Sequence, residues 1–112
     1  SYDVGTVTVQ NVEIRVGGQD GMCVNFNYTS LTMSDSVCIN SSSTTENRHQ
    51  TPASIKVGGK AVVTRSIIIG GLSAIAAGSD SEIRHNLLRQ SGFATNGYGT
   101  MFYRNRGSKV ID

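Results

Sequence analysis

The sequence predicts an α+β fold in which an antiparallel β-sheet carries one or two helices on one face and holds one disulfide. Three observations predict it. Residues 22–39 alternate between apolar and polar side chains in a pattern that closes as a β-hairpin. Residues 79–92 begin and end like a capped helix. A chain of 112 residues suits a single domain, residues 1–112, with one hydrophobic core.

The hairpin register places Cys23 opposite Cys38, and these are the two cysteines of the chain. The same register pairs apolar residues such as Val24 and Val37 on one face, and it leaves a polar face made of Asn25, Asn27, Ser34 and Ser36. Residues directly opposed on neighbouring strands meet the Cα separation of about 4.4–6.8 Å that a disulfide needs. We therefore expect a disulfide and a secreted, extracellular protein, because such bonds persist in oxidising compartments. The alternative is two buried free thiols in a cytosolic protein.

Strand signals occur on both sides of this hairpin. Residues 4–16 alternate with a change of parity near Gln10 and Asn11, which indicates a β-bulge. Residues 53–57 and 60–64 flank Gly58 and Gly59 and predict a second hairpin. Residues 65–77 combine three isoleucines with an Ala-rich end, so we favour a buried helix and keep a strand as the alternative. No internal repeat is visible in the sequence.

The helix signals lie in residues 79–89. Ser79 and Glu82 have the spacing of a capping box, and Arg89 lies where a helix dipole favours a cation. Ile83, Leu87 and Leu88 form an apolar stripe, and Gly92 is a suitable stop. A final strand is expected over residues 98–105. No apolar stretch reaches the roughly 20 residues that a membrane-spanning helix requires.

The charge of the chain is unevenly distributed. Residues 1–46 carry one base and five acids, a net charge of −4, while residues 47–112 carry nine bases and three acids, a net charge of +6. A basic half favours contact with an anionic surface. The candidate surface-binding residues are Arg48, His49, Arg104, Arg106 and Lys109. The alternative is a solvated surface whose two halves attract one another.

Two sequons are consistent with export. Asn27-Tyr28-Thr29 and Asn40-Ser41-Ser42 both match the N-glycosylation pattern. In the hairpin register Asn27 lies on the polar face and Asn40 has the same parity, so both are glycosylation candidates. The alternative is that a chain rich in Ser, Thr and Asn contains sequons by chance.

Catalytic motifs are weak, and we expect a protein that is not an enzyme. The sequence contains no nucleophile elbow, no P-loop and no cofactor motif, and its two histidines make a poor zinc set, so we assign no catalytic residue, cofactor or metal. His85 with Glu82 and His49 with Glu46 share an i,i+3 spacing that leaves a secreted nuclease as an alternative. Arg104 and Arg106 near Tyr103 form too small a basic-aromatic patch to predict nucleic-acid binding.

The second half of the chain resembles the small secreted killer toxins of fungi, namely the salt-mediated yeast toxin and the virally encoded corn-smut toxin. The resemblance lies in the predicted elements: a Gly/Ala-rich helix over residues 66–78, a capped helix over 79–92 and a terminal strand over 99–105. The resemblance implies an α/β sandwich and a secreted antifungal or cytotoxic protein that acts on the envelope or ion channels of a competing cell. The chain departs from those families in having two cysteines where they have several.

Two functions from different classes follow. The first is a secreted killer-toxin-like or effector-like protein that binds a cell-envelope component, a glycan, a lipid or a membrane protein, with residues 67–77 as a core element or a membrane-inserting segment. The second is a secreted recognition module, such as an adhesin, a lectin-like protein or a toxin-delivery subunit. Its ligand surface would be the polar hairpin face and the loop over residues 40–52.

Overall fold

Short β-strands separated by sharp bends make up the architecture. The computed structural model of the protein describes residues 5–19, 21–42, 53–71, 73–78, 80–89, 105–106 and 109–111. Within these ranges the strands are β1 (Thr6–Gln10), β2 (Glu13–Val16), β3 (Val24–Phe26), β4 (Ser30–Ser34), β5 (Val37–Asn40), β6 (Ala53–Val57), β7 (Ala61–Thr64), β8 (Ile67–Gly70), β9 (Ser73–Ala77), β10 (Glu82–Arg84), β11 (Leu87–Arg89), β12 (Asn105–Arg106) and β13 (Lys109–Ile111).

The strands stack as successive coils of a parallel β-solenoid. Sheet 1 has the order β1-β4-β7-β10-β12, sheet 2 the order β2-β5-β8-β11-β13, and sheet 3 the order β3-β6-β9. All strand pairs among the described residues are parallel. Coil 1 therefore contains β1 to β3, coil 2 contains β4 to β6, coil 3 contains β7 to β9, coil 4 contains β10 and β11, and coil 5 contains β12 and β13. Each coil hydrogen-bonds to the next, which is how repeat folds bury a continuous core.

Side chains of equivalent positions lie above one another in the interior. In sheet 1 the register aligns Met33, Val63 and Ile83, and in sheet 2 it aligns Cys38, Ile68 and Leu88. These six side chains are fully buried, and Ile55 and Ile75 of sheet 3 complete the core. Burial of each large aliphatic side chain contributes about 1.5–3 kcal/mol. The core is thus a set of aliphatic columns that run through the coils.

The bend from sheet 1 to sheet 2 recurs in four coils with the same backbone conformation. Asn11, Asp35, Arg65 and His85 each have a positive φ, between 49° and 57°. Asn, Asp and His tolerate this left-handed region better than most residues, and one such residue turns the chain without a loop. The residue that follows in coils 2, 3 and 4 is buried and polar: Ser36, Ser66 and Asn86.

The predicted antiparallel sheet is wrong, and so is the hairpin over residues 22–39. Val24 aligns with Ile55 of the next coil rather than with Val37, and Val37 aligns with Glu13 and Ile67. The second predicted hairpin is also absent, because β6 and β7 belong to different sheets. An alternation of apolar and polar residues fixes which face of a strand is buried, but it leaves open which strand lies beside it.

The disulfide itself is confirmed. Cys23 and Cys38 are bonded, with their Cα atoms 6.1 Å apart. Cys23 directly precedes β3 and Cys38 lies in β5, so the bond crosses the interior from coil 1 to coil 2 instead of joining neighbouring antiparallel strands.

The predicted helices are wrong as well, and with them the α+β class. Residues 67–77 form β8 and β9, which makes the strand alternative correct. In the described part of residues 79–89 the chain forms β10 and β11, joined by the bend at His85. Ile83 and Leu88 both point inward, one from each strand, so the apolar stripe that suggested a helix belongs to two sheets.

A repeat is present although the sequence does not reveal it by eye. Equivalent positions are 24, 30 and 20 residues apart between coils 1, 2, 3 and 4, as at Val9, Met33, Val63 and Ile83.

No helix among the described residues is long and apolar enough to cross a membrane. The proposed final strand lies mostly outside the described residues, which include Asn105 and Arg106 of β12.

Candidate functional site

A surface groove lies where sheet 3 ends and the chain turns towards sheet 1. It has a volume of about 260 Å³ and is lined by Phe26, Asn27, Lys56, Val57, Gly58, Ala76, Ala77 and Gly78. These residues come from the ends of β3, β6 and β9 and from the turns that follow them. Three successive coils therefore build one continuous wall.

Small residues at the turns create this groove. The amide of Gly58 donates to the carbonyl oxygen of Phe26 at 2.8 Å, and the amide of Gly78 donates to that of Gly59 at 2.9 Å. A β-carbon on Gly58 would overlap the backbone carbonyl of Asn27. Glycine is thus required for the coils to approach one another at this edge, and the absence of side chains on Gly58 and Gly78 leaves space on the outside.

The lining combines an apolar surface with two polar groups. Lys56 is exposed and supplies the charge among the lining residues, and Asn27 is exposed beside it. Phe26, Val57, Ala76 and Ala77 supply the apolar part. Tyr28, which follows Asn27, is 59% exposed. Such a site offers an ammonium group, an amide and apolar contact area to a ligand, which suits a small organic anion or an acidic sugar.

The bend between sheets 1 and 2 carries a second polar feature. The guanidinium of Arg65 in coil 3 donates two hydrogen bonds to the carboxylate of Asp35 in coil 2, at 2.8 and 3.0 Å. These hydrogen bonds hold the pKa of Asp35 below its usual value and raise that of Arg65. Because the two charges satisfy one another on an exposed edge, this pair joins coils 2 and 3 rather than forming a ligand site.

The two sequons differ in their surroundings. Asn27 is exposed at the groove. Asn40 is 5% exposed, and its amide nitrogen donates to the carbonyl oxygen of Gly21 at 2.8 Å and to the hydroxyl of Ser54 at 3.2 Å. The expectation that Asn40 lies on a polar outer face is therefore wrong, because its side chain holds together the interior of the bend after β5. Both hydrogens of that nitrogen are used in these bonds, so a glycan attached there would break at least one of them.

The basic residues predicted to bind a surface are not gathered into one site in the described part of the chain. Arg106 lies in β12 of sheet 1 and Lys109 in β13 of sheet 2. Arg48, His49 and Arg104 lie outside the described residues, as does most of the loop over residues 40–52. The polar hairpin face is also divided, because Asn25 lies in sheet 3 whereas Ser34 lies in sheet 1 and Ser36 is buried at the bend.

The histidine–carboxylate pairs do not form a recognisable centre. His85 lies at the bend between β10 and β11. Glu82 lies on the outer face of sheet 1, where its carboxylate is 3.9 Å from the Nε of Arg84. Within the described ranges no three His, Cys, Asp or Glu side chains lie close enough to hold a metal ion. His49 and Glu46 fall outside those ranges.

The groove residues Phe26, Lys56 and Ala76 were not predicted from the sequence. Phe26 and Lys56 are 30 positions apart and Lys56 and Ala76 are 20 apart, and the parallel stacking of β3, β6 and β9 brings them together. The available signal was the pair Gly58 and Gly59 and the single Gly78, which follow the segments 53–57 and 73–77. No family model matches the chain, and no curated protein or solved structure matches it either.

Proposed function

We propose that this chain is a recognition module of a secreted protein and binds an acidic glycan of a cell envelope. The groove at the end of sheet 3 is the observation that carries the proposal, because it places Lys56 and Asn27 beside an apolar surface. The disulfide supports an extracellular setting, since such bonds form and persist where conditions are oxidising.

The chemistry of the lining favours a sugar acid over a neutral sugar or a lipid. The ammonium group of Lys56 pairs with a carboxylate, and the amide of Asn27 exchanges hydrogen bonds with hydroxyl groups. The apolar lining packs against the carbon–hydrogen face of a sugar ring. The groove, at about 260 Å³, is slightly smaller than the sites of roughly 300–1,000 Å³ that hold drug-sized ligands. It therefore suits one or two sugar units of a longer chain.

This proposal assigns Asn27 to ligand binding rather than to glycosylation. A glycan on the Asn27 side chain would occupy the rim of the groove and compete with the ligand. This proposal replaces the cytotoxic function that the killer-toxin resemblance implies. The two helices on which that resemblance depends are strands of the solenoid, and the residues 67–77 that would insert into a membrane form β8 and β9.

The experiment is a glycan array followed by titration calorimetry with the whole chain. We expect saturable binding to uronate-containing or sialylated glycans and none to their neutral counterparts. Lys56→Gln removes the charge and is expected to weaken binding about tenfold or more, since a hydrogen bond to a charged group contributes about 1.5–3 kcal/mol. Ala76→Gln, which fills the groove, is expected to abolish binding.

The matched control is Lys60→Gln. Lys60 is an exposed lysine four residues further along, and it does not line the groove. Its substitution is expected to leave affinity unchanged. The proposal fails if no acidic glycan binds saturably, or if Lys56→Gln binds as tightly as the unaltered chain.

A further inference from the structure

Strand β3 forms the coil 1 wall of the groove, and its attachment to the rest of the solenoid is narrow. It contains three residues, Val24–Phe26. Phe26 and the following Asn27 line the groove. Among the described residues β3 pairs with β6 of coil 2 and with no other strand. So short an edge strand is held weakly by backbone pairing, because its few hydrogen bonds barely offset the conformational entropy of ordering it.

The disulfide lies at the entry to this strand. Cys23 directly precedes Val24, and its amide donates to the carbonyl oxygen of Ser54 at 2.8 Å. Its sulfur is bonded to that of Cys38, a fully buried residue of β5 in sheet 2. Backbone pairing joins β3 to sheet 3, so the disulfide adds a covalent attachment to a second sheet. Phe26 is three residues from this attachment, about 10 Å along an extended chain.

One hydrogen bond in the groove reports on the position of β3. The amide of Gly58 in coil 2 donates to the carbonyl oxygen of Phe26 in coil 1 at 2.8 Å. A comparable bond lies one coil further on, where the amide of Gly78 donates to the carbonyl oxygen of Gly59 at 2.9 Å. Gly58 and Gly78 each follow a strand of sheet 3 and line the groove. The first bond involves β3 and the second does not, so the pair forms an internal comparison.

We propose that the Cys23–Cys38 bond is a redox-sensitive device that holds the groove in shape. In the oxidised chain it keeps Phe26 and Asn27 against coil 2. Reduction releases β3 and opens the coil 1 side of the groove. The consequence for a bound glycan rests on the proposed function of the groove, whereas the opening itself does not.

A dithiol reductant drives the change by thiol–disulfide exchange. One of its thiolates attacks the sulfur of Cys23, which is partly exposed, whereas Cys38 is fully buried. The bond between the two cysteines breaks, a mixed disulfide forms on Cys23, and Cys38 leaves as a thiolate that takes up a proton. The second thiolate of the reductant then attacks the mixed disulfide and releases Cys23, which also takes up a proton. Two electrons pass to the chain, and the reductant becomes a disulfide.

Ligand affinity and the disulfide equilibrium are linked. When β3 is in place in a tenth of the reduced chains, the apparent Kd is about ten times that of the oxidised chain. The linkage is reciprocal, so a ligand that prefers the oxidised chain makes the disulfide harder to reduce. Each tenfold difference in Kd lowers the midpoint potential of the bond by about 30 mV.

Amide hydrogen exchange, followed by NMR, tests the opening without a ligand. On reduction with dithiothreitol the exchange of the Gly58 amide is expected to accelerate about tenfold or more, because its acceptor on Phe26 moves away. The Gly78 amide is expected to change by less than about twofold. The double variant Cys23→Ala with Cys38→Ala is expected to show the fast Gly58 exchange without reductant. Equal acceleration at the two glycines, or none at either, overturns the proposal.

Titration calorimetry with a uronate-containing and a sialylated oligosaccharide tests the link to the ligand. The oxidised chain is expected to bind about tenfold or more tightly than the reduced chain or the double alanine variant. Asn86→Ala is the matched control, because it removes buried hydrogen bonds of coil 4 to Ser66 and Val63 and leaves β3 untouched. It is expected to retain the original affinity.

The two experiments separate this inference from the function on which its consequence rests. If the oxidised chain binds neither oligosaccharide, the proposed function is wrong, and the exchange of Gly58 and Gly78 still decides whether reduction opens the groove. If the oxidised and reduced chains bind with equal affinity, redox control of the groove is wrong.

Discussion

Ser36, Ser66 and Asn86 form a polar ladder inside the bend between sheets 1 and 2. The hydroxyl of Ser36 accepts a hydrogen bond from the amide of Val12 at 3.2 Å, and that of Ser66 accepts one from the amide of Ser36 at 3.2 Å. The side-chain oxygen of Asn86 accepts from the amide of Ser66 at 2.9 Å. Each side chain thus satisfies a backbone donor of the preceding coil at the point where the strands are interrupted.

Replacement of Asn86 by alanine is the sharpest test of this ladder. The amide nitrogen of Asn86 also donates to the carbonyl oxygen of Val63 at 2.8 Å. Asn86→Ala therefore removes the side-chain partner of two buried backbone groups, the amide of Ser66 and the carbonyl of Val63. We expect a loss of about 2–3 kcal/mol in the free energy of unfolding, measured by urea denaturation. Asn25→Ala, at an exposed position of β3, is the control and is expected to change stability by less than about 0.5 kcal/mol. Equal stability of the two variants would contradict a structural role for the ladder.

At the scale of residues, prediction succeeded where the composition leaves one choice and failed where burial depends on the next coil. The pairing of Cys23 with Cys38 was predictable because these are the two cysteines of the chain. The burial of Ser36 and Asn40 was not, because short polar side chains in an alternating pattern indicate a solvent-facing row. Ser36 bonds to Ser66 and Asn40 bonds to Gly21, which are 30 and 19 residues away in the chain, and the sequence around Ser36 and Asn40 does not indicate these partners.

At the scale of elements, the close approach of coils at the end of sheet 3 depends on glycine. Gly58→Ala is expected to lower the free energy of unfolding by about 3 kcal/mol, since its β-carbon would overlap the backbone of Asn27 and the two coils would have to separate. Gly17→Ala is the control, because a β-carbon there meets the hydroxyl of Ser41 at an ordinary contact distance of 3.6 Å. Thermal unfolding of both variants provides the comparison, and a Gly58→Ala variant as stable as Gly17→Ala would show that the coils are free to adjust.

Several strands were predictable from their composition, whereas their partners were not. Residues 53–57 form β6 as expected, and residues 61–64 form β7. The parity change near Asn11 is real, but a bend into another sheet causes it rather than a bulge, because Asn11 has a φ of 55°. The capping signals of residues 79–89 did not produce a helix. A short isolated helix is only marginally stable, and burial of Ile83 and Leu88 in the columns of the core stabilises the two strands more.

For the whole molecule, the decisive information is the parallel stacking of strands that are 20 to 31 residues apart. Ala53 aligns with Ser73, whereas Val24 aligns with Ile55. Coils of unequal length do not repeat at a fixed period, so inspection for a regular period fails. The groove depends on this stacking, and for that reason it was not predictable from the sequence.

The disulfide is expected to secure the first coil of this stack. In repeat folds each unit is stabilised by its neighbours, and among the described residues the strands of coil 1 pair with those of coil 2 alone. Coil 1 exposes 39% of Val7 and 41% of Val12, which indicates that its own packing is limited. The bond closes a segment with a sequence separation of 15, for which the chain-entropy model gives about 3 kcal/mol.

Reduction should therefore destabilise the chain by about 3 kcal/mol and act mainly on coil 1. Urea denaturation with and without reductant measures this loss of stability. The double variant Cys23→Ala with Cys38→Ala is expected to show the same loss without reductant and no further loss when reductant is added. Hydrogen exchange measures the effect on coil 1, with faster exchange over residues 6–16 and little change in β7 and β8, because nearest-neighbour coupling confines the loss to the end that the bond secures. Exchange that increases equally in all coils would mean that the solenoid unfolds as one unit and that the disulfide stabilises the whole stack.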